Sequence, residues 1–555
     1  MDCPTNPVST EQTIYSTHAF LFPFEWRYRG DKAQTLEKQT TLLRVQDAMK
    51  DGPGNWERRP SWNPPGTVTQ YNEVAYFYDF VRPILYDDGT DESMQLHYFL
   101  QTPPEEELTY EIELADVTYK LYVDDITVSH YDTGVGVVAF HLHNRIQAQS
   151  RPQDILRINA AGRRVYPPFL ASNTDDLGHQ RFFEDRNWQR ALKRTKATGE
   201  LPRAIRIKKG EDYLLTEDFS EWTKDQNLDR PPGLIRKVLP PGLFAVVEIS
   251  PVLDDRMFVV SWYGHSELLT HVQGISPTGE DKSLADVNYL TNEWWYKFVF
   301  VDGGYKTCQN DFMTADLLKA STNPRWARDG TFLGVGRYSF VILTGAATSD
   351  NSFPKTICSH TLTMYHKMAQ LGLVQRASLL RFSQEVTDIS QLTKRGKHLT
   401  QRVSSLYRQY IRFVNRVYFR EVTAQEQGIE LYDMMEERMR LDRHVKALDE
   451  EVQQLHAYVN LLDEENRNEK LDLLTYFAAL FVVPGFIASY YGIGDFKIAN
   501  YWWIISLTCA ASAGLALAIV RTSGRSRKAS IIVTIFFSAF VFFILPAIIE
   551  LFKAS

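Results

Sequence analysis

In the stretch Asn468-Glu-Lys-Leu-Asp-Leu-Leu-Thr-Tyr-Phe-Ala-Ala-Leu-Phe-Val-Val-Pro-Gly-Phe-Ile-Ala-Ser-Tyr-Tyr-Gly-Ile-Gly-Asp-Phe496, three charged residues give way to an apolar run. From Leu473 to Gly494 there is no Lys, Arg, Asp or Glu. As a helix rising about 1.5 Å per residue, 473–491 is long enough to cross a hydrocarbon core about 30 Å thick. Two further apolar stretches, 501–520 and 531–549, follow it, so a transmembrane domain is expected over 471–555. Short basic connections stay in the cytoplasm. The one carrying Arg521, Arg525, Arg527 and Lys528 is therefore expected inside, and the one carrying Asp495 and Lys497 outside. Met1 to His18 lacks a basic segment followed by an apolar one. The expectation is a multi-pass protein of the inner (cytoplasmic) membrane, with its large N-terminal domain in the cytoplasm.

Towards the N-terminus, Val445, Leu448, Val452, Leu455, Val459 and Leu462 alternate spacings of three and four, a heptad seam with charged flanks. No Gly or Pro occurs from Leu441 to Val483, so one helix is expected to continue into the apolar run. A second seam, Leu399, Val403, Leu406, Tyr410, Phe413 and Val417, supplies a packing partner, and a third helix is expected over 361–392. Residues 356–470 thus read as a helical stalk. A stalk that merely oligomerises fits the seams equally well.

Residues 1–355 read as an α/β domain. Runs such as Val135 to Leu142 and Trp295 to Val301 lie among many Pro and Gly breaks. A chain of 555 residues is too long for one core. A formal charge of −7 argues against a nucleic-acid binder built on bulk basicity. Cys3, Cys308, Cys358 and Cys509 have no CxxC spacing, so neither a disulfide framework nor a zinc site is expected. There is no P-loop, G-x-S-x-G or HExxH, and Gly134-Val135-Gly136 lacks the third glycine of a dinucleotide fingerprint. No enzyme activity is expected.

Two segments have the composition of a sensing surface. Asp154 to Phe169 places Asn159, Arg163 and Arg164 near aromatics, a combination suited to phosphate pairing and base stacking. Around Phe300-Val-Asp302-Gly303-Gly, followed by Asn310 and by Arg325-Trp326, an acid beside a glycine turn suits ribose hydroxyls. Salt-bridged turns and core tryptophans are the plainer reading of the same residues.

The opening stretch resembles the first transmembrane helix and signature of the CorA family of divalent-cation transporters. The shared letters are Asn468, Glu469, Leu474, Thr475, Pro484, Phe486, Ile487, Ala488, Tyr491, Gly492 and Phe496. The resemblance implies an α/β cytoplasmic domain, a long helical stalk and an α-helical transmembrane bundle. It also implies a homo-oligomer of five subunits in a lipid bilayer, with Mg²⁺ or another divalent cation as cargo and no covalent cofactor. Carried over position by position, the pore face is Asn468, Leu471, Leu474, Ala478, Val482, Gly485 and Ser489. The mouth is Gly492, Ile493, Gly494 and Asp495. Where the family has Gly-Met-Asn this chain has Gly492-Ile-Gly494, so a ring of Asp495 carboxylates stands in for the selective amides as the metal contact. The span 531–549 is a second departure, since family members typically have two.

His18-Ala-Phe-Leu-Phe-Pro-Phe-Glu-Trp26 and the two sensing segments are similar to a CorA-like branch associated with type III CRISPR systems. That resemblance implies an antiviral effector switched by a nucleotide second messenger, a conjugate of S-adenosylmethionine and AMP. The other reading is a constitutive Mg²⁺ or divalent-cation transporter regulated by intracellular metal.

Overall fold

A computed structural model describes residues 13–29, 42–50, 56–60, 66–91, 93–100, 107–166, 202–210, 212–219, 231–252, 256–274, 288–304, 306–347, 352–391 and 397–492. The strands are β1 (Ser16–Tyr28), β2 (Trp56–Arg58), β3 (Gln95–Leu100), β4 (Leu108–Glu113), β5 (Thr118–Tyr131), β6 (Val135–Asn144), β7 (Ala204–Lys209), β8 (Asp212–Asp218), β9 (Val247–Pro251), β10 (Phe258–Gly264), β11 (Thr322–Asn323), β12 (Thr331–Val335) and β13 (Ser339–Thr344). The helices are α1 (Leu42–Lys50), α2 (Val68–Ala75), α3 (Arg82–Leu85), α4 (Pro152–Gly162), α5 (Gly233–Val238), α6 (Pro241–Val246), α7 (Ser266–Gln273), α8 (Glu293–Phe300), α9 (Asp311–Ser321), α10 (Phe353–Leu362), α11 (Met364–Ser390), α12 (Lys397–Arg416), α13 (Glu426–Met439) and α14 (Leu441–Gly492). The chain divides into two compact units, Met1–Val452 and Gln453–Ser555.

The first unit is built on one mixed sheet in the order β11-β12-β13-β10-β1-β6-β5-β4-β7-β8, with β9 also on β1 and β2-β3 on β5. All described pairings are antiparallel except β10 with β13. The 13 residues of β1 supply Phe20, Phe22, Phe24 and Trp26 to one face, all buried with Ile155 and Ile158 of α4 in the main core. The opposite face, carrying Glu25, packs on α11. Gly136 answers Phe24 across the β1–β6 ladder, and a Cβ there would lie 2.2 Å from the ring. Only glycine leaves room for that phenylalanine.

Of the two runs, Val135 to Leu142 lies in the strand β6, whereas Trp295 to Phe300 belongs to the helix α8, with Val301 as its left-handed cap. Asn292 caps the helix through Oδ1 to Trp295 N at 2.8 Å, and Glu293 pairs with Lys297 at 2.7 Å one turn on. These local signals outweigh an apolar run too short to show its own period. The first-named seam of the sequence is buried in part, with Val445, Leu455 and Leu462 only half-buried, and the second is buried throughout. Leu399, Val403, Leu406, Tyr410, Phe413 and Val417 are all buried, as are Leu448, Val452 and Val459.

The expected transmembrane bundle, and with it the multi-pass inner-membrane placement, is corrected. Among the described residues no helix is long and apolar enough to cross a membrane. The first expected span, 473–491, is the C-terminal part of α14, 52 residues or about 78 Å in all. Through Asp472 that helix interleaves its seam with charged residues, and Leu471 and Leu474 are exposed. The expected spans 501–520 and 531–549 lie outside the described residues.

Candidate functional site

A three-residue connection, Gly336-Arg-Tyr338, joins β12 to β13. Val335 pairs with Phe340, and Gly336 N donates to Ser339 O at 2.8 Å, which puts Arg337 and Tyr338 at the tip. A Cβ on Gly336 would lie 2.4 Å from Ser339 Oγ and 2.9 Å from Val299 O, so the tip sits tight against the end of α8. Two guanidinium groups attend Tyr338: Arg376 lies 4.7 Å and Arg256 5.8 Å from its ring centroid. Arg376 also donates to Arg337 O at 3.0 Å and to Tyr338 Oη at 3.3 Å.

Facing this tip is the break between α13 and α14. Arg440 adopts the left-handed conformation with φ of 59°, its N–H returning to Glu436 O and Glu437 O. Glycine is the usual residue at such a helix end, because a side chain there costs about 1–2 kcal/mol. The hairpin tip, Phe300 and the helix break enclose a cleft of about 900 Å³.

Four arginines, 337, 438, 440 and 443, and four carboxylates, 433, 436, 437 and 442, line it. Most of the carboxylates are engaged. Glu437 pairs with Arg438, Glu436 accepts from Tyr418 Oη, and Asp442 pairs with Lys446 at 2.7 Å. Among the described residues no carboxylate lies within ion-pair reach of Arg337, Arg440 or Arg443. Burial and then the charges of Arg376, Arg337, Arg440 and Arg443 push the neighbouring His444 below its ordinary range.

The sequence-expected binding residues fall in three places. Arg163 and Asp302 come together at the cleft's edge. Arg163 Nη2 donates to Val301 O at 3.1 Å, and its charge partly offsets the burial that raises the Asp302 carboxyl. Asp302 accepts from Thr307 N at 3.2 Å, and Gly303 lies in the same turn. Arg164 bridges to Arg256, which stands over Tyr338. Asn159, by contrast, is buried under the sheet, with Oδ1 2.7 Å from His18 Nδ1. Asn310 is the cap of α9, and Arg325 and Trp326 follow the other end of that 11-residue helix, about 16 Å along. Arg325 pairs with Glu430, and Trp326 meets Phe353 edge-on at 6.2 Å. These three lie apart from Arg163 and Asp302.

Arg337, Tyr338, Arg376, Arg440 and Arg443 were not expected from the sequence. Their signal was present in the basic run Arg438-Met-Arg440-Leu-Asp-Arg443 at a helix break without glycine. It becomes a site only when Gly336-Arg-Tyr338, a hundred residues earlier, folds against it.

The family model for the CorA-like Mg²⁺ transporter protein matches residues 375–522. Over these residues the chain is similar to the CorA family. No curated protein and no solved structure matches the chain.

The CorA-like segment begins within α11, contains α12 and α13, and runs through α14. It supplies Arg376 and the 433–443 wall of the cleft, whereas Arg337 and Tyr338 come from the sheet. Of the expected pore face, Asn468, Leu471 and Leu474 are exposed on α14. Ala478, Val482, Gly485 and Ser489 continue the same helix, which ends at Gly492. Ile493, Gly494 and Asp495, including the proposed metal contact, lie outside the described residues. Among the described residues no group of three or more His, Cys, Asp or Glu is placed to hold a metal ion.

Proposed function

We propose that the chain is a homo-oligomeric, CorA-like divalent-cation transport protein whose conducting state is set by a nucleotide second messenger held by its sheet. The observation that carries the transport half is the CorA-like match over 375–522, which includes the whole of α14. On the family's pattern five copies would place the stripe Asn468, Leu471, Leu474, Ala478, Val482, Gly485 and Ser489 around the ion path. A constriction of leucine and valine closes by excluding water. Asp495 would attract cations at the mouth without the amide ring that selects hydrated Mg²⁺.

Ligand control is supported by how α11 is held. This helix enters the CorA-like segment at Gln375 and is fastened to the sheet by buried polar contacts. Gln370 reaches Tyr131 Oη at 2.8 Å and Ser129 Oγ at 3.2 Å, Ser378 Oγ lies 3.0 Å from Thr133 Oγ1, and Arg381 donates to Thr133 O. A ligand that shifts the sheet must shift α11 with it, and it changes conduction to the extent that it binds one state better than the other. The S-adenosylmethionine–AMP conjugate is the ligand to try first. The test is Mg²⁺ flux by the reconstituted full chain with and without it. A change in flux on addition supports the proposal; Mg²⁺ flux indifferent to nucleotide but suppressed by internal Mg²⁺ would replace it with metal-regulated transport.

A further inference from the structure

We infer that the cleft between the β12–β13 tip and the α13–α14 break binds the phosphate groups of a small soluble ligand, with Arg337, Arg440 and Arg443 as the primary contacts. The inference rests on the reading of the sheet-bearing unit as a ligand sensor and gives that sensor a place. Three observations converge on it. First, these three arginines have no carboxylate in ion-pair reach among the described residues, although four carboxylates line the same cleft. In a cleft that only tied elements together, the cations and anions would be matched to each other. Here Glu437 pairs with Arg438 inside the cleft and Glu436 and Asp442 are turned to Tyr418 and Lys446, while none of the four carboxylates, Asp433 included, is within ion-pair reach of the exposed guanidinium groups of Arg337, Arg440 and Arg443.

Second, the positions of these arginines are defined by backbone. Arg337 sits on the three-residue connection locked by Gly336 and held by Arg376, and Arg440 and Arg443 sit on a helix break and the turn after it. A planar fork held in this way loses little freedom on pairing with phosphate oxygens. Third, the two non-glycine residues with positive φ among the described residues, Val301 at 54° and Arg440 at 59°, both flank this cleft. Val301 is β-branched, for which the conformation is a true outlier. Backbone strain of this kind gathers at ligand clamps and switch points. Here it lies at the residue after Phe300 on one wall and at the start of α14 on the other, so a ligand bridging the walls would bear on both.

The probes are inorganic pyrophosphate, ADP and adenosine, titrated calorimetrically into the purified full-length chain at low salt without divalent cations. Pyrophosphate and ADP are expected to bind and adenosine not. The double variant R337Q/R443Q is expected to weaken pyrophosphate at least about 10-fold, since each charge-assisted contact is strong. Its thermal midpoint without ligand should stay at the wild-type value, because both side chains are exposed and lack ion-pair partners. Arg420→Gln, an exposed arginine outside the cleft, should bind as wild type does. Three results would each overturn the site: no pyrophosphate binding at millimolar concentration, equal binding by R337Q/R443Q, or adenosine binding as well as ADP. Because the readout is binding and not flux, these results stand apart from the flux result that decides the proposed control of conduction.

Discussion

Lowering the pH from 7.5 to 5 should remove much of the stability of the sheet-bearing unit, and the cause is five buried histidines. Burial holds His18 and His141 down to about 4 and His130 to about 3, and places His97 and His366 well below their ordinary value of 6.5. His141 and His366 meet at a tilt, ring centroids 4.6 Å apart, between the sheet and α11, with Lys367 and His97 adding repulsion. Each folded value lies below the unfolded one. The unfolded chain therefore takes up more protons between about pH 4 and 6.5, and stability is complete above that window and falls as the pH drops through it. At pH 5 an unfolded histidine is almost fully protonated while these stay neutral, a loss of about 2 kcal/mol each. Asp125 opposes this, since burial and then Asp124 raise it to about 7 and its proton stabilises the fold on acidification. Burial also raises Glu73, Asp132, Glu217 and Asp302, which oppose the loss in the same sense, so the net loss is several kcal/mol, against a total of about 5–15 kcal/mol for a typical folded protein. Denaturant titrations followed by tryptophan fluorescence at pH 7.5, 6 and 5 measure it directly. His130 gives a single-residue check. It is fully buried, has no hydrogen-bond partner at either nitrogen among the described residues, and packs edge-on against Phe24 and Trp26. His130→Leu should remove about 2 kcal/mol of the acid sensitivity. Stability that is flat from pH 7.5 to 5, or an unchanged slope in His130→Leu, would refute the reasoning.

Other perturbations test single contacts. Arg381, 1% exposed, lies between the buried carboxylates Glu25 and Glu385, which Arg27 and Arg402 also pair; Arg381→Gln should cost about 1–3 kcal/mol in denaturant by removing its buried contact with Thr133 O and one of the cations on these carboxylates. Gly136→Ala drives a methyl into the Phe24 ring and should cost about 1–3 kcal/mol by the same assay. Arg440→Gly should release about 1 kcal/mol of backbone strain and raise the thermal midpoint while weakening pyrophosphate binding, a split that a merely structural arginine would not show.

The helical half of the molecule was legible because its signals are local. Seams spaced three and four residues apart, with no glycine or proline, leave a chain little choice but a long helix, and the seam from Leu399 to Val417 and Leu448, Val452 and Val459 are buried accordingly. The CorA-like letters from Asn468 to Phe496 were likewise written in one stretch. The sheet order was not legible, because β1 takes β6, β9 and β10 as neighbours from over a hundred residues away. The helix α8 was not legible in the run 295–301, because six hydrophobic residues in seven obscure the period, and only Asn292 and the Glu293–Lys297 pair mark it. Of the candidate binding residues, Arg163 and Asp302 meet across 139 residues, a juxtaposition no spacing could show. Asn159 looked like a ligand contact but is buried against His18, since a polar residue on the core face of α4 needs a partner. The cleft's arginines were missed for the converse reason: each looks like an ordinary surface charge until the hairpin tip and the helix break face one another.

Cation flux tests the central claim most directly. The full-length chain, reconstituted in liposomes loaded with a Mg²⁺-sensitive dye, should admit Mg²⁺ or another divalent cation faster than protein-free liposomes. The rate should change when the S-adenosylmethionine–AMP conjugate is supplied both inside and outside the liposomes. A rate equal to that of protein-free liposomes for every divalent cation tried, with and without the nucleotide, would contradict it.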